Sequence, residues 1–386
     1  MPADRRRSTV ARPRASSRHI TINVNGGRGG HGGDGYRHGT GGAGGHGTGP
    51  TLNFEVSTRS FMMNNLQPDG IEILHRVIAV EAIHNSSESY PQPRCHPETR
   101  TEMLQDLRGW ALDDGDPSRK LVPSIHWQYG CAELRCPILW LYGPAGAGKS
   151  AIMQSLCCNL ETAGQLGGSF FFKRDHATRG NAKTLFATVA YQLAVRVPCL
   201  RAPIAQIVEH DPSIAKQTIA VQMHKLILEP CRGYKNRRTV TILIDGLDEC
   251  KEQDIQVEIL RIIRHSSPPF RFIIASRPEA HIRDMFNSPL YGGNYLSLNV
   301  EQSFDDVRKY LSDEFSRIHH EHWTMAKVPL PWPSVDILEH LIDKSSGHFI
   351  YAATIIKFID DKNYRPTQRL EMVLGNTSQG SQFGAL

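Results

Sequence analysis

The densest chemistry in this sequence lies at Gly143, Pro144, Ala145, Gly146, Ala147, Gly148, Lys149, Ser150 and Ala151, which follow the apolar run Ile138-Leu-Trp-Leu and precede a helical one. The spacing of Gly143, Gly148, Lys149 and Ser150 is that of a P-loop. Glycines let consecutive backbone N–H groups turn inward around phosphate oxygens, and the helix that starts there adds the positive end of its dipole. Lys149 is expected to reach the β- and γ-phosphates, and the Ser150 hydroxyl to ligate Mg²⁺. The stretch 143–151 is therefore the expected nucleotide-binding loop.

A second constellation follows in Thr241-Ile-Leu-Ile-Asp245-Gly-Leu-Asp248-Glu249, an apolar strand ending in acids. Such a run is common by itself and gains weight from the P-loop, because a doubly wound sheet gathers its strand ends on one edge. Asp245 is expected to hold Mg²⁺ together with Ser150, and Asp248 or Glu249 to polarise the attacking water. The next apolar run, Phe272-Ile-Ile-Ala-Ser, ends in Arg277. On the same edge, Arg277 could sense or stabilise a γ-phosphate; the alternative is an ordinary arginine after a strand. Asp248, Glu249 and Arg277 are the catalytic candidates.

Positioning these groups requires alternating strands and helices. Short apolar runs predict strands over 138–142, 169–172, 240–244, 272–275 and 295–298, with helices between them, the texture of an α/β fold with a parallel sheet. Helices are predicted over 303–319, 335–344 and 349–359, with no further strand. Upstream, the apolar positions from Ile71 to Ile83 fit one helical face over 71–84, and a shorter amphipathic helix is expected over 98–110.

The fold class is thus an α/β P-loop NTPase, a parallel β-sheet flanked by helices and followed by a small helical subdomain, behind a disordered Gly-rich N-terminus. The expected organisation is a basic, Gly-rich region over 1–66, a helical linker over 67–135, the NTPase core over 136–300, a helical lid over 301–375 and a tail over 376–386. Fourteen of the 33 glycines fall between Gly26 and Gly49. Their three-residue period slips at His38-Gly39 and lacks proline, which excludes a collagen helix. The alternating flanks 19–24 and 51–56 could form strands around a flexible connection.

The formal charge of +5 comes mostly from arginines among the first 18 residues, so it argues for no specific nucleic-acid partner. Eight scattered cysteines are poor material for a disulfide framework and fit a reducing compartment, so the expected location is cytoplasmic. No apolar run is long enough to span a bilayer.

Taken together, the motifs at 143–150, Asp245-Gly-Leu-Asp-Glu-Cys250 and Ala275-Ser-Arg-Pro-Glu279 resemble NACHT domains of the STAND class of P-loop NTPases, in particular the fungal and nephrocystin-like branch. The segment Arg94-Cys-His-Pro-Glu-Thr-Arg100, Trp110, Phe171-Phe172 and the run 188–193 add to the likeness, which spans roughly residues 94–374. The resemblance implies a molecular switch that binds ATP or GTP with Mg²⁺, hydrolyses it slowly and self-associates or meets protein partners on nucleotide exchange, in signalling or nonself-recognition. It assigns Lys149, Ser150, Asp245, Asp248, Glu249 and Arg277 the roles above. The stretch Ser346-Gly-His-Phe-Ile-Tyr-Ala352 looks like the lid motif beside the base, with Phe349 where relatives often carry proline.

Two departures stand out: there is no internal repeat of the sensor type and no assignable winged-helix histidine. The alternatives are a truncated adaptor or scaffold acting through its N-terminal region, and a conventional P-loop ATPase. The histidines His319, His320 and His322 could bind a metal but lack cysteine or acid partners at ligand spacing.

Overall fold

Both faces of every central strand are apolar in this sequence, the pattern of a sheet covered by helices on each side. The computed structural model describes residues 69–89, 91–112, 126–127, 137–233, 240–266, 269–292 and 295–375, all within the unit Pro68–Leu386. The Gly-rich stretch, its flanking segments 19–24 and 51–56, Cys131, Cys136 and the tail over 376–386 lie outside the described residues. The strands are β1 (His126–Trp127), β2 (Ile138–Tyr142), β3 (Leu166–Phe171), β4 (Thr241–Asp245), β5 (Arg271–Ser276) and β6 (Leu296–Asn299). They form one sheet in the order β1-β6-β2-β5-β4-β3. The five strands β2 to β6 run parallel, and β1 pairs antiparallel with β6 at the edge.

The period-two alternation sorts side chains between two layers. Ile138, Trp140, Phe170, Ile242, Ile244, Phe272 and Ile274 pack on one side, against α4 (Leu185–Arg196), α5 (Pro198–His210), α7 (Gln253–Ser266) and α8 (Ala280–Phe286). The indole N–H of Trp140, buried there, donates to Ser276 Oγ at 2.9 Å. Leu139, Leu141, Leu243, Ile273, Ala275 and Leu298 face the opposite layer, built from α2 (Thr101–Leu112) and α3 (Lys149–Thr162). The stretch expected as a linker thus places Leu107 and Trp110 of α2 in the core. A short α6 (Ile219–Gln222) continues into a π-helical turn over Met223–Leu228. Helices α9 (Phe304–Glu321), α10 (Val335–Ser345), α11 (Phe349–Ile359) and α12 (Pro366–Gly375) form the small helical subdomain around their own core of Val307, Leu311, Phe315, Leu341, Ile355 and Ile359.

The structure corrects the helix expected over 71–84. The helix α1 spans only Gly70–His75, and one 3-10 turn follows at Val80–Ala82. The backbone N–H of Ala79 donates to Thr188 Oγ1 and that of His84 to Ser169 Oγ, each at 3.1 Å. Side chains of α4 and β3 therefore take up donors that a helix would have used, and the β-branched Val77, Ile78 and Val80 add little helical preference to resist this. The start of α2 shifts from 98 to 101 because Glu98 and Arg100 sit in the left-handed region (φ 62° and 54°), which cannot propagate a right-handed helix. The strand β1 and helix α12 were not foreseen: two residues carry no readable alternation, and α12 is short and buries only Pro366 and Leu370. Of the histidine trio, His319 Nε2 bonds the Val328 carbonyl at 2.9 Å, and His322 caps the turn at Trp323–Met325.

Candidate functional site

The loop after β2 needs two residues in a conformation that costs an ordinary residue about 1–2 kcal/mol, and glycine occupies both: Gly146 has φ 74° and Gly148 has φ 92°. Gly143 meets a different demand. A Cβ there would lie 2.9 Å from the Val300 carbonyl oxygen, so the absent side chain lets the segment after β6 pass close by. The helix α3 begins at Lys149, directing its first N–H groups toward the loop's concave side.

The sheet order places β5 between β2 and β4. Arg277, following β5, therefore emerges between the loop and the acids that end β4. Asp245 is buried, and the Ser150 hydroxyl is among the groups that act on its carboxyl. Its Oδ1 is buried with no hydrogen-bond partner. Burial pushes the Asp245 carboxyl up to about 7; Ser150 and Lys149 pull it down, while Glu249 and Asp248 push it further up. Burial likewise lowers the Lys149 ammonium, against the pull of Asp248 and Asp245. Lys149 Nζ donates to the carbonyls of Gly143 and Pro144, each at 2.8 Å.

Asp248 and Arg277 are brought together rather than left side by side. The Arg277 N–H donates to Asp248 Oδ1 at 2.9 Å, and its Nε lies 3.3 Å from Oδ2. Glu249 Oε2 accepts the Arg174 N–H at 3.2 Å, while the Arg174 guanidinium donates to the Asp248 carbonyl at 3.3 Å.

A cleft of about 440 Å³ joins these groups to a second wall. That wall is made by Pro93 to His96, Thr99 and Arg100 of the loop before α2, Tyr310 of α9 and Phe349 and Ile350 of α11. Ile350 rests on the P-loop itself: a Cβ on Gly146 would sit 2.3 Å from its Cγ2. His96 Nε2 pairs with Asp313 Oδ2 at 2.9 Å and its ring stands edge-on to Tyr310, so the loop is fastened to α9. Motif spacing gave no role to His96, Arg100 or Tyr310; the loop had entered only through its likeness to the segment that precedes NACHT domains.

Oxygen donors of this kind suit a hard dication. Ser150 and Asp245 supply two, and the unpartnered Oδ1 of a buried carboxylate is the type of atom a cation satisfies. Among the described residues no three acids, cysteines or histidines are placed to hold a metal ion together; a Mg²⁺ held by one carboxylate and a hydroxyl would take its remaining ligands from phosphate and water.

Residues 125–277 match the family model described as Nephrocystin 3, N-terminal. The match bears out the resemblance to the nephrocystin-like branch and contains the P-loop, the acids ending β4 and Arg277. The helical subdomain lies beyond the nephrocystin-like segment. No curated protein gives a match to this sequence. Among solved structures, PCH-2 from C. elegans is 12% identical, with 76% of this chain and 71% of that one covered and a TM-score of 0.40. Orc1 from Aeropyrum pernix, solved in complex with DNA, is 12% identical over 75% and 68%, with a TM-score of 0.43. Cdc6p from Pyrobaculum aerophilum is 15% identical over 74% and 68%, with a TM-score of 0.41.

Proposed function

We propose that this chain is a nucleotide switch of the NACHT/STAND type, which binds ATP or GTP with Mg²⁺ and hydrolyses it slowly. The observation that carries the reading is the convergence of the P-loop, Lys149, Ser150 and the buried Asp245 carboxylate in a single cleft. The N–H groups at the start of α3 and Lys149 bind the phosphates, with Lys149 exchanging the carbonyls of Gly143 and Pro144 for phosphate oxygens. Ser150 and Asp245 hold Mg²⁺, which when bound offsets phosphate charge. The base and ribose lie toward the second wall, between the loop before α2 and Phe349.

Slow turnover follows from how the acids are engaged. Both Asp248 oxygens face Arg277, and one Glu249 oxygen is taken by Arg174, so neither acid is wholly committed to orienting water. The backbone N–H and Nε of Arg277 hold Asp248, which leaves its two Nη groups as the donors for a γ-phosphate. In this reading, exchange of diphosphate for triphosphate licenses self-association or a protein partner in signalling. The cysteines found free among the described residues support a reducing, cytoplasmic setting. No described helix is long and apolar enough to cross a membrane.

Two measurements test this. Steady-state turnover with Mg²⁺ should fall below about 10⁻² s⁻¹ and vanish with chelator, whereas turnover of 1–100 s⁻¹, as in kinases, contradicts a switch. Arg277→Ala should weaken triphosphate binding about tenfold while leaving diphosphate affinity within about twofold. Equal losses for both nucleotides would remove Arg277 from the γ-phosphate.

A further inference from the structure

Arg100 lies outside the P-loop motif yet touches it. It is only 9% exposed, and its backbone has φ 54°, a conformation that a non-glycine residue keeps only where its surroundings hold it. Its Nη2 donates to the Glu301 carbonyl at 2.8 Å and reaches the Ala147 carbonyl at 3.5 Å. Its own N–H donates to Asp306 Oδ1 at 3.2 Å, and Nε lies 3.5 Å from Asp306 Oδ2. The guanidinium carbon stands 5.6 Å from the centre of the Phe349 ring. One side chain thus meets the P-loop, the segment leaving β6, the first turn of α9 and the first residue of α11.

We propose that Arg100 is a positioning residue that couples docking of the helical subdomain to the orientation of the P-loop amides, so that phosphate binding and docking stabilise each other. The inference rests on the nucleotide-binding reading of the cleft. Its physical basis is peptide planarity: the Ala147 C=O and the Gly148 N–H share one trans plane and point in opposite directions. A guanidinium that draws the Ala147 carbonyl outward turns the Gly148 N–H toward the concave side, where a phosphate would sit. Asp306 and Phe349, both from the subdomain, hold that guanidinium in place. Coupling of this kind is reciprocal, so whatever loosens the subdomain loosens the phosphate site by the same factor.

The test is a double-mutant cycle on the full chain, using Arg100→Met, Asp306→Asn and the pair, with ADP and GDP titrated into each and amide exchange followed without nucleotide. Asp306 does not line the cleft and meets Arg100 directly, so its effect on phosphate affinity is expected to pass through Arg100. The expected result is a loss of about tenfold for each single variant and no further loss in the pair. Wild-type affinity in Asp306→Asn, or losses that multiply to about a hundredfold, would overturn the coupling. If the wild-type chain takes up neither nucleotide, the functional reading fails and exchange alone decides the coupling. Both variants should then speed exchange at the P-loop and at α11 together, with β4 unchanged as an internal control; acceleration at only one of the two sites would overturn it.

Discussion

Buried at the end of β4, the Asp245 carboxylate has an Oδ1 that nothing in the described structure satisfies. A charge in that position costs stability until a cation or donor meets it. Asp245→Asn should therefore stabilise the nucleotide-free chain at pH 8, by on the order of 2 kcal/mol in urea denaturation, while abolishing Mg²⁺-dependent hydrolysis. A destabilised variant would mean that the carboxylate is satisfied by other means. The loop residues and Asp245 were legible because backbone chemistry favours them: glycine takes φ 74° and 92° without the cost an L-residue pays, and a strand end is where an acid meets the loop. The partnership of Asp248 with Arg277 was not legible, since it depends on β5 lying between β2 and β4, and strand order is not written in either residue. His84 offers a separate probe. Burial lowers its pKa below 6.5, opposed by the Glu161 carboxylate. The folded chain thus resists protonation that the unfolded chain accepts, so the stability His84 supports is complete above 6.5 and declines as pH falls below that value. The urea midpoint of the wild type should fall between about pH 7.5 and 5.5, and the His84→Gln variant should show a flatter profile over the same range. Equal slopes would remove His84 as the cause.

Among the elements, the five parallel strands were readable from short apolar runs, because each is buried on both faces and long enough to show it. The strap between α1 and α2 was not. Its apolar positions suit a helix, but Thr188 and Ser169 capture its backbone donors, and no local pattern announces a tertiary partner more than eighty residues away. The same limit hid Arg100, whose neighbours come from four separate elements. The seat of α11 on the P-loop yields a prediction at this scale. Gly146→Ala would bring a methyl to 2.3 Å from Ile350 Cγ2 and force an L-residue to φ 74°. It should lower stability by about 2–4 kcal/mol, combining overpacking with backbone strain. Ile350→Ala should not restore it, because the Ile350 Cβ, which alanine keeps, already lies 2.7 Å from the added group. Full rescue would show that the clash alone, and not the left-handed backbone, sets the cost.

The molecule as a whole pairs a nephrocystin-like α/β core with a helical subdomain whose core is separate, and the cleft lies where the two meet. In the proposed reading, such a seam would let a ligand's phosphates and its base contact different bodies, so that the ligand shifts the balance between two arrangements of them. The alternation of short apolar runs with helical periods pointed to an α/β protein, and the motif order pointed to the nucleotide edge. The second wall, however, depended on folding a loop before the core and helices after it onto one site. The most direct measurement is to purify the chain and its Lys149→Ala variant, titrate each with Mg²⁺-ATP and Mg²⁺-GTP, and identify by chromatography any nucleotide released on denaturation. The account predicts one base type bound by the wild type and affinity at least about a hundredfold weaker in the variant, the loss expected when a charged, buried phosphate contact is removed. A wild-type chain that carries no nucleotide and binds neither triphosphate would contradict it.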